Sequence, residues 1–237
     1  MRIEVVATVD EIRHEQLAGR TVVVIDVLRA ASTIVTALAH GFSYIVPVET
    51  VGQAFALRTA TSLLAGERHG KKIADFHYNN SPSELLNAET SGRHLILTTT
   101  NGTRAIHKAE RAGQLLVGCF LNATACIEQA LASGADITLY CAGSRQAFAL
   151  EDGLAAGLLI HLARLREPEL PVCDLGRALE ASYLHAADRL TAQVLQGATA
   201  RRLKQHYEED ILHCCRIDAY QVVPVVRQRR IYPHLVS

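Results

Sequence analysis

Apolar runs, polar loops and alanine-rich stretches alternate along this chain, and one such arrangement occurs three times. In each copy, an apolar run typical of a buried strand precedes a short polar loop and then residues with helical spacing. The copies cover residues 21–39 (TVVVIDVLRAASTIVTALA), 95–112 and 137–160. This order favours an α/β fold in which polar side chains at the strand exits share the sheet edge where ligands usually bind.

The rest of the pattern predicts further strands and helices. Strands are expected over residues 2–6, 21–25, 44–48, 95–99, 115–120 and 222–226, and from residue 137. Helices are expected over residues 32–41, 51–64, 124–134 and 151–165. Residues 66–83 are polar and punctuated, which predicts a long loop.

The chain contains no Gly/Ser linker and no low-complexity stretch, so we expect a single domain over residues 1–237. DVLRA and NGTRA resemble each other and each precedes a helix, which is compatible with an internal duplication. The apolar run at residues 222–226 fits either a core strand or a subunit contact in a homo-oligomer. We favour the core strand.

Composition and charge narrow the classes of partner. With 237 residues, 49% of them hydrophobic, the chain can bury a large core without a partner. Lys plus Arg and Asp plus Glu each total 24, so the basic excess typical of a nucleic-acid binder is absent. No apolar run approaches the roughly 20 residues that span a bilayer. We therefore expect a soluble, cytoplasmic protein that binds neither nucleic acid nor membrane.

Asp26 is the first candidate for chemistry. It follows four β-branched residues, where a buried strand emerges and an isolated carboxylate is costly to desolvate. Mg²⁺ would stabilise such a carboxylate, since this ion typically takes one or two carboxylates, waters and a phosphate oxygen. Alternatively, Asp26 caps the following helix or pairs with Arg29.

Arg29 and Arg104 each lie just beyond a strand end. A guanidinium group offers a planar fork to phosphate, carboxylate or sulfonate, and nearby helix N-termini add N–H donors. Two such arginines suit a ligand with more than one acidic group. Their alternative role is a structural ion pair.

Three further acids are candidates. Glu151 and Asp152 stand in a first helical turn, where acids ordinarily complement the helix dipole. One of them could instead complete a metal site or act as a general acid. Glu67 adds a third acid beside several cations, among which we interpret Lys71 and Lys72 as a solvated surface.

Five separated motifs then occur in order: VVVIDVLRAASTIVTALAHG, GERHGKKI leading to NNSPSEL, TTTNGTRAI, FLNA, and the segment from CAG to ED. Together they resemble the 2-phosphosulfolactate phosphatase family over nearly the whole chain. The resemblance implies a three-layer α/β/α fold with a mixed sheet. It also implies Mg²⁺-dependent hydrolysis of (R)-2-phospho-3-sulfolactate to 3-sulfolactate and phosphate, a step of coenzyme M biosynthesis.

The resemblance assigns roles to positions of this sequence. The expected catalytic residues are Asp26, Arg29, Arg104, Glu151 and Asp152. The expected metal ligands are Asp26, Glu67 and Asp152. The expected substrate-binding residues are Asn80, Ser81, Thr100, Asn101, Gly102, Thr103 and Asn122.

Two questions of mechanism and substrate stay open at this point. The first is whether water attacks phosphorus directly or Asp26 forms an aspartyl-phosphate intermediate. The haloacid dehalogenase pattern DxDxT, which is typical of an aspartyl-phosphate mechanism, is not matched, because Leu28 stands two residues after Asp26. The alternative functions are hydrolysis of another small phosphorylated hydroxy acid, and non-catalytic binding of an anionic metabolite.

Overall fold

The computed structural model describes residues 1–68 and 70–235, and its strands and helices alternate along most of the chain. The strands are β1 (Ile3–Val6), β2 (Thr21–Ile25), β3 (Ile45–Val48), β4 (Ser62–Arg68), β5 (Lys71–Lys72), β6 (His94–Thr98), β7 (Gln114–Gly118), β8 (Ile137–Cys141), β9 (Val222–Arg227) and β10 (Arg230–Leu235). The helices are α1 (Ala30–Ala39), α2 (Val51–Ala56), α3 (Pro82–Leu85), α4 (Gly102–Lys108), α5 (Ala123–Leu131), α6 (Leu150–Arg166), α7 (Asp174–Ala186), α8 (Leu190–Gln196) and α9 (Ala198–Cys214).

The strands form one mixed sheet in the order β1-β8-β2-β7-β9-β10-β3-β6-β4-β5. Helices cover both faces, so the expected three-layer α/β/α architecture is confirmed. None of the described helices is long and apolar enough to cross a bilayer.

Strand β2 forms where the sequence has five consecutive β-branched residues. All five residues of β2 are buried, because β2 pairs in parallel with β7 and β8 and has helices on both faces. The apolar run that begins at Val222 is part of β9, whose first four residues are buried within the sheet. The expectation of a core strand there is confirmed.

The helix predicted over residues 51–64 is wrong in its second half. Helix α2 ends at Ala56, after a capping box in which Thr50 accepts from the Gln53 N–H at 3.1 Å and Gln53 accepts from the Thr50 N–H at 3.2 Å. Strand β4 begins at Ser62 and pairs in parallel with β6. A short apolar run does not distinguish helix from strand by itself, and pairing with β6 decides the outcome here.

The loop predicted over residues 66–83 is also partly wrong, because it contains the end of β4, all of β5 and the start of α3. Gly66 is needed inside β4, since a Cβ atom there would lie 2.3 Å from the Thr98 carbonyl oxygen. His69, within the GERHGKKI motif, lies outside the described residues.

Strand β10 is absent from the sequence prediction. It forms a hairpin with β9 through a two-residue turn in which Gln228 and Arg229 both have positive φ, 49° and 61°. Asn-Gly or Asp-Gly is the usual signature of this turn, and neither stands here. The hairpin is stabilised by pairing with its neighbours: β9 pairs with β7 and β10 with β3.

The two parallel sets of strands run in opposite directions. One set is β1, β8, β2 and β7, the other is β3, β6 and β4, and three antiparallel pairings separate them. Neighbouring strands rotate by roughly 20–25°, so the five steps from β2 to β6 accumulate on the order of 100° of twist. The loop after β6 lies at the exits of β2 and β8, where Asn101 Nδ2 donates to the Gly143 carbonyl oxygen at 2.8 Å.

Candidate active site

The Asp26 carboxylate follows β2 directly and is only 8% exposed. Its Oδ1 atom accepts a hydrogen bond from the Ala30 N–H at 3.2 Å and so caps the first turn of α1. Its Oδ2 atom lies beside Gly102 at the start of α4, where a Cβ atom would come within 2.6 Å. The close approach of the β6–α4 loop to Asp26 therefore requires glycine at this position.

Asp152, in the first turn of α6, joins the exits of β2 and β8. Its Oδ1 atom accepts from the Val27 N–H at 2.8 Å, and its Oδ2 atom accepts from the Gly143 N–H at 3.0 Å. The neighbouring Glu151 is also buried, and its Oε2 atom has no hydrogen-bond partner among the described residues. Asp152 thus holds the two strand exits together through backbone hydrogen bonds, and Glu151 is the next residue on the same helix.

Burial makes these carboxylates difficult to ionise together. It raises the pKa of Asp26 to about 7, with the charges of Glu67 and Glu151 acting in the same direction. Burial, followed by the charge of Asp26, raises the pKa of Asp152 well above its ordinary value. Burial also raises the pKa of Glu151. A cation among such groups would stabilise their charged forms.

Glu67 lies at the end of β4 and fixes the loop after β6. Its Oε1 atom accepts from the Thr100 N–H at 2.7 Å and from the Thr100 hydroxyl at 2.8 Å. Its Oε2 atom accepts from the Gly70 N–H at 2.7 Å. These bonds fix the Glu67 carboxylate at the cavity that Asp26 also lines, and its charge contributes to the raised pKa of Asp26.

Arg29 is buried between α1 and α9. Its Nη1 atom lies 2.5 Å from Asp210 Oδ2, and its guanidinium carbon lies 4.2 Å from the centre of the Tyr207 ring. No described residue accepts a hydrogen bond from its Nε or Nη2 atom. The guanidinium therefore has both a fixed position and unused donors.

Asp210, on α9, is the centre of a hydrogen-bond network below Arg29. Its Oδ1 atom accepts from the Ser81 hydroxyl at 2.8 Å and from the Ser83 N–H at 3.0 Å. The carboxylate thus connects α9 to the N-terminus of α3 and to the loop after β2. This network is a structural role that the sequence did not indicate.

A cavity of about 400 Å³ opens above these groups. Six of the residues expected from the sequence line it: Asp26, Arg29, Glu67, Asn80, Thr100 and Asn101. Asn80 is buried, and its side-chain oxygen has no partner among the described residues. The strand-exit residues thus converge on one small polar cavity.

The other expected substrate-binding residues support the cavity from behind it. Ser81 caps α3 and donates to Asp210. Thr103 donates to the Thr99 carbonyl oxygen at 3.0 Å. Asn122 donates to the Val222 carbonyl oxygen at 3.0 Å and accepts from Cys119, which places it between β7 and β9.

Arg104 lies outside the cavity, on the surface of α4. It pairs with Asp10 at 2.5 Å, and both side chains are 40% exposed. Arg104 thus makes a structural ion pair, the role that the sequence left open as an alternative to substrate binding.

The cavity is also lined by residues that the sequence does not assign to the site, among them Lys71, Arg145, Thr199, Arg202, His206 and Tyr207. The last four belong to α9, an amphipathic helix that carries no recognisable motif and lies far from the other motifs in sequence. Lys71 is exposed, as a solvated residue would be, yet it borders the cavity. Only the tertiary packing of α9 reveals this wall.

The chemistry is concentrated in this cavity and not in a larger groove elsewhere on the molecule. A groove of about 720 Å³ lies near Gln114 and Arg227, where Arg20 is already neutralised by Glu4 and Asp136. Within residues 1–68 and 70–235, no three His, Cys, Asp or Glu side chains are arranged as an all-protein metal cage. Asp26 and Glu67 nevertheless present hard oxygen ligands beside a cavity, which fits Mg²⁺ completed by water and phosphate oxygens.

Comparison with known proteins identifies the family. The family described as 2-phosphosulpholactate phosphatase matches residues 6–229 of this chain. The chain belongs to this family.

Three relatives, each named as a probable 2-phosphosulfolactate phosphatase, resemble the chain over most of its length. The protein from Caldanaerobacter subterraneus subsp. tengcongensis is 36% identical over 233 residues, 96% of each chain. The protein from Thermotoga petrophila is 39% identical over 209 residues, 87% of this chain and 89% of its own. The protein from Clostridium acetobutylicum is 34% identical over 229 residues, 94% of this chain and 97% of its own.

Members of the 2-phosphosulfolactate phosphatase family are phosphoric monoester hydrolases, and the cavity has the groups that such a reaction needs. Arg29 offers unused donors to an anion, and the carboxylates of Asp26 and Glu67 offer ligands to a cation. Phosphoryl transfer depends mainly on positioning and charge neutralisation, which this arrangement of fixed side chains can provide.

Proposed function

We propose that the protein is a phosphatase that hydrolyses (R)-2-phospho-3-sulfolactate to 3-sulfolactate and phosphate with Mg²⁺. The observation that carries the proposal is the meeting of buried Asp26 and buried Arg29 in one cavity of about 400 Å³. Membership of the family and the names of the relatives support the substrate. The setting implied by the resemblance is coenzyme M biosynthesis.

In this proposal, Asp26 and Glu67 hold the metal ion. Asp26 has one oxygen bound to the Ala30 N–H and the other beside Gly102, at the cavity. When bound, Mg²⁺ neutralises charge on the phosphate oxygens. Asp152 holds the exits of β2 and β8 together through its two backbone hydrogen bonds, so its contribution to the metal site is to fix Asp26.

The protein groups bind and orient the phosphate ester. Arg29 uses its free Nε and Nη2 donors as a fork for phosphate oxygens, while Asp210 and Tyr207 hold the guanidinium. Asn80 and Asn101 offer side-chain amides to the substrate from two walls of the cavity. We expect water to attack phosphorus directly, because Asp26 is engaged as a metal ligand.

The test is phosphate release from synthetic 2-phosphosulfolactate by the purified protein, with Mg²⁺ or with EDTA. We expect release with Mg²⁺, loss of release after metal removal and recovery when Mg²⁺ is restored. Full activity in a rigorously metal-free preparation would contradict the metal assignment. No release under any condition would contradict the proposed function and favour a non-catalytic binder of anionic metabolites.

A panel of other phosphorylated hydroxy acids tests the alternative substrates. We expect 2-phosphosulfolactate to give the highest kcat/KM of the panel. A higher value for a phosphorylated hydroxy acid without sulfonate would move the proposed function to that substrate.

A further inference from the structure

The cations of the cavity divide into two groups. Arg29 is buried and neutralised by Asp210. Lys71, Arg145 and Arg202 are exposed at the other end, and no carboxylate of the described residues lies within ion-pair distance of any of them. The cavity therefore has an outer end whose three cations form no ion pair with the described residues, although the buried Glu151 carboxylate attracts Arg202 from a greater distance.

Arg145 is held in a tight turn after β8. Ser144 and Ala147 exchange two backbone hydrogen bonds, at 2.8 and 3.0 Å, and the two residues between them both have positive φ. A non-glycine residue in this conformation carries a cost of about 1 kcal/mol or more. The turn holds the backbone of Arg145 at the cavity in a conformation that an unconstrained loop would seldom adopt.

Arg202 reaches the same turn from α9. Its Nη2 atom donates to the Ser144 hydroxyl at 2.6 Å. Partial burial, followed by the positive charge of Arg145, lowers the pKa of Arg202, while the charge of Glu151 opposes this shift. The two guanidinium groups line the same cavity and repel each other, and an anion between them would relieve that repulsion.

We propose that Arg145 and Arg202 form a subsite for a further acidic group of the substrate, the sulfonate on the carbon next to the one that bears the phosphate ester. This inference rests on the proposed function and makes the outer end of the cavity the part that selects the substrate. A guanidinium pair suits sulfonate because each group can donate two hydrogen bonds to its oxygens. A substrate without the sulfonate does not relieve the repulsion between the Arg145 and Arg202 guanidinium groups.

The test compares 2-phosphosulfolactate with 2-phospholactate, which carries a methyl group in place of the sulfonatomethyl group. Variants Arg145→Gln and Arg202→Gln are measured beside wild type. The matched control is Arg201→Gln, because Arg201 is exposed on the same helix, donates to the Gln196 carbonyl oxygen and does not line the cavity. We expect each cavity variant to lower the kcat/KM ratio of the two substrates by about 10- to 100-fold, and the control to keep it.

Equal losses for both substrates in the two cavity variants would overturn the subsite, as would a wild type that does not prefer the sulfonate. If wild type hydrolyses neither substrate, the proposed function fails, and the subsite is tested separately by measuring ligand affinity. Calorimetric titration then compares the binding of 3-sulfolactate and of lactate to wild type and to Arg202→Gln. Weaker binding of 3-sulfolactate alone in Arg202→Gln supports the subsite, and unchanged binding overturns it.

Discussion

Asp26 is a carboxylate that the fold holds in an unfavourable environment, since burial raises its pKa to about 7. We expect Asp26→Asn to lower kcat by about 100-fold or more, the scale of losing one strong electrostatic contributor. The amide is nearly isosteric and removes the buried charge. The metal-free variant should therefore unfold at a temperature no lower than wild type at neutral or higher pH.

Phosphate release and thermal unfolding check this expectation, and Mg²⁺ titration separates two roles of Asp26. Loss of Mg²⁺ affinity in Asp26→Asn would identify Asp26 as a metal ligand and leave water as the group that attacks phosphorus. A variant that keeps Mg²⁺ but loses labelling by BeF₃⁻ would indicate a nucleophile. The control is Asp188→Asn, on the exposed surface. Unchanged turnover in Asp26→Asn would remove Asp26 from the chemistry.

Arg29 and Arg104 provide a matched pair of arginines with different surroundings. We expect Arg29→Lys to lower kcat/KM by about 10- to 100-fold, because an ammonium group cannot reproduce the fork between phosphate and Asp210. We expect Arg104→Lys to stay within about threefold of wild type, since an exposed ion pair contributes little. Steady-state kinetics measure both, and equal losses would contradict this assignment.

The two arginines also show what a motif can and cannot predict. Asp26, Thr100 and Asn101 line one cavity, and the sequence places them at strand exits, which are recognisable from apolar runs. Glu67 lines the same cavity, although the sequence pattern places it in a long loop. It could not fix the direction of Arg104. Two residues along an α-helix turn by about 200°, so when Gly102 faces Asp26, Arg104 faces away from it.

At the level of elements, α9 forms one wall of the cavity and positions Arg29. We expect Asp210→Asn to raise KM strongly, because the Arg29 guanidinium loses its charged partner. Breaking a buried ion pair costs about 3–5 kcal/mol of folding free energy, so urea unfolding is measured alongside the kinetics.

A milder variant keeps this prediction testable if Asp210→Asn does not fold. Ser83→Ala removes the hydroxyl that donates to Asp210 and leaves the ion pair intact.

A complementary measurement uses Arg29→Ala, in which free guanidinium ions should restore part of the activity only while Asp210 is present. Rescue that persists in the Arg29→Ala, Asp210→Asn double variant would contradict the positioning role.

Elements were predictable where local pattern and tertiary pairing agree. Strand β2 is a run of β-branched residues and was predicted with its observed bounds. Strand β4 was taken for the end of a helix, since three apolar residues fit either structure until β6 supplies the pairing. The wall formed by α9 had no signal of its own, because its polar residues look like those of any surface helix.

At the scale of the whole molecule, the site lies where two oppositely directed sets of strands approach each other. The sequence predicts that the loops after β2, β6 and β8 share the ligand-binding edge of an open α/β sheet. They do meet, but β6 runs against β2 and β8, and the hairpin of β9 and β10 separates the two sets. Strand direction depends on pairings between distant segments, which the local pattern does not encode.

His213 joins α9 to α1 and links the stability of the whole molecule to pH. Its Nε2 atom lies 3.1 Å from the Thr36 hydroxyl, and the Tyr220 ring packs beside it. Burial, followed by the charge of Arg216, lowers the His213 pKa, while Asp210 and Glu209 oppose this shift. The folded protein therefore favours the neutral imidazole.

The sign of the resulting pH dependence follows from proton binding. Below the unfolded pKa of about 6.5, the unfolded chain binds more protons at this position than the folded protein. The contribution of His213 to stability is thus complete above that pH and is lost as the pH falls through the folded-state pKa. We expect His213→Gln to show a flatter decline in the free energy of unfolding between about pH 7 and about pH 5, measured by urea titration. The control variant His14→Gln, at an exposed position, should keep the wild-type dependence of the free energy of unfolding on pH. If His213→Gln shows that same dependence, proton uptake at His213 does not govern the decline.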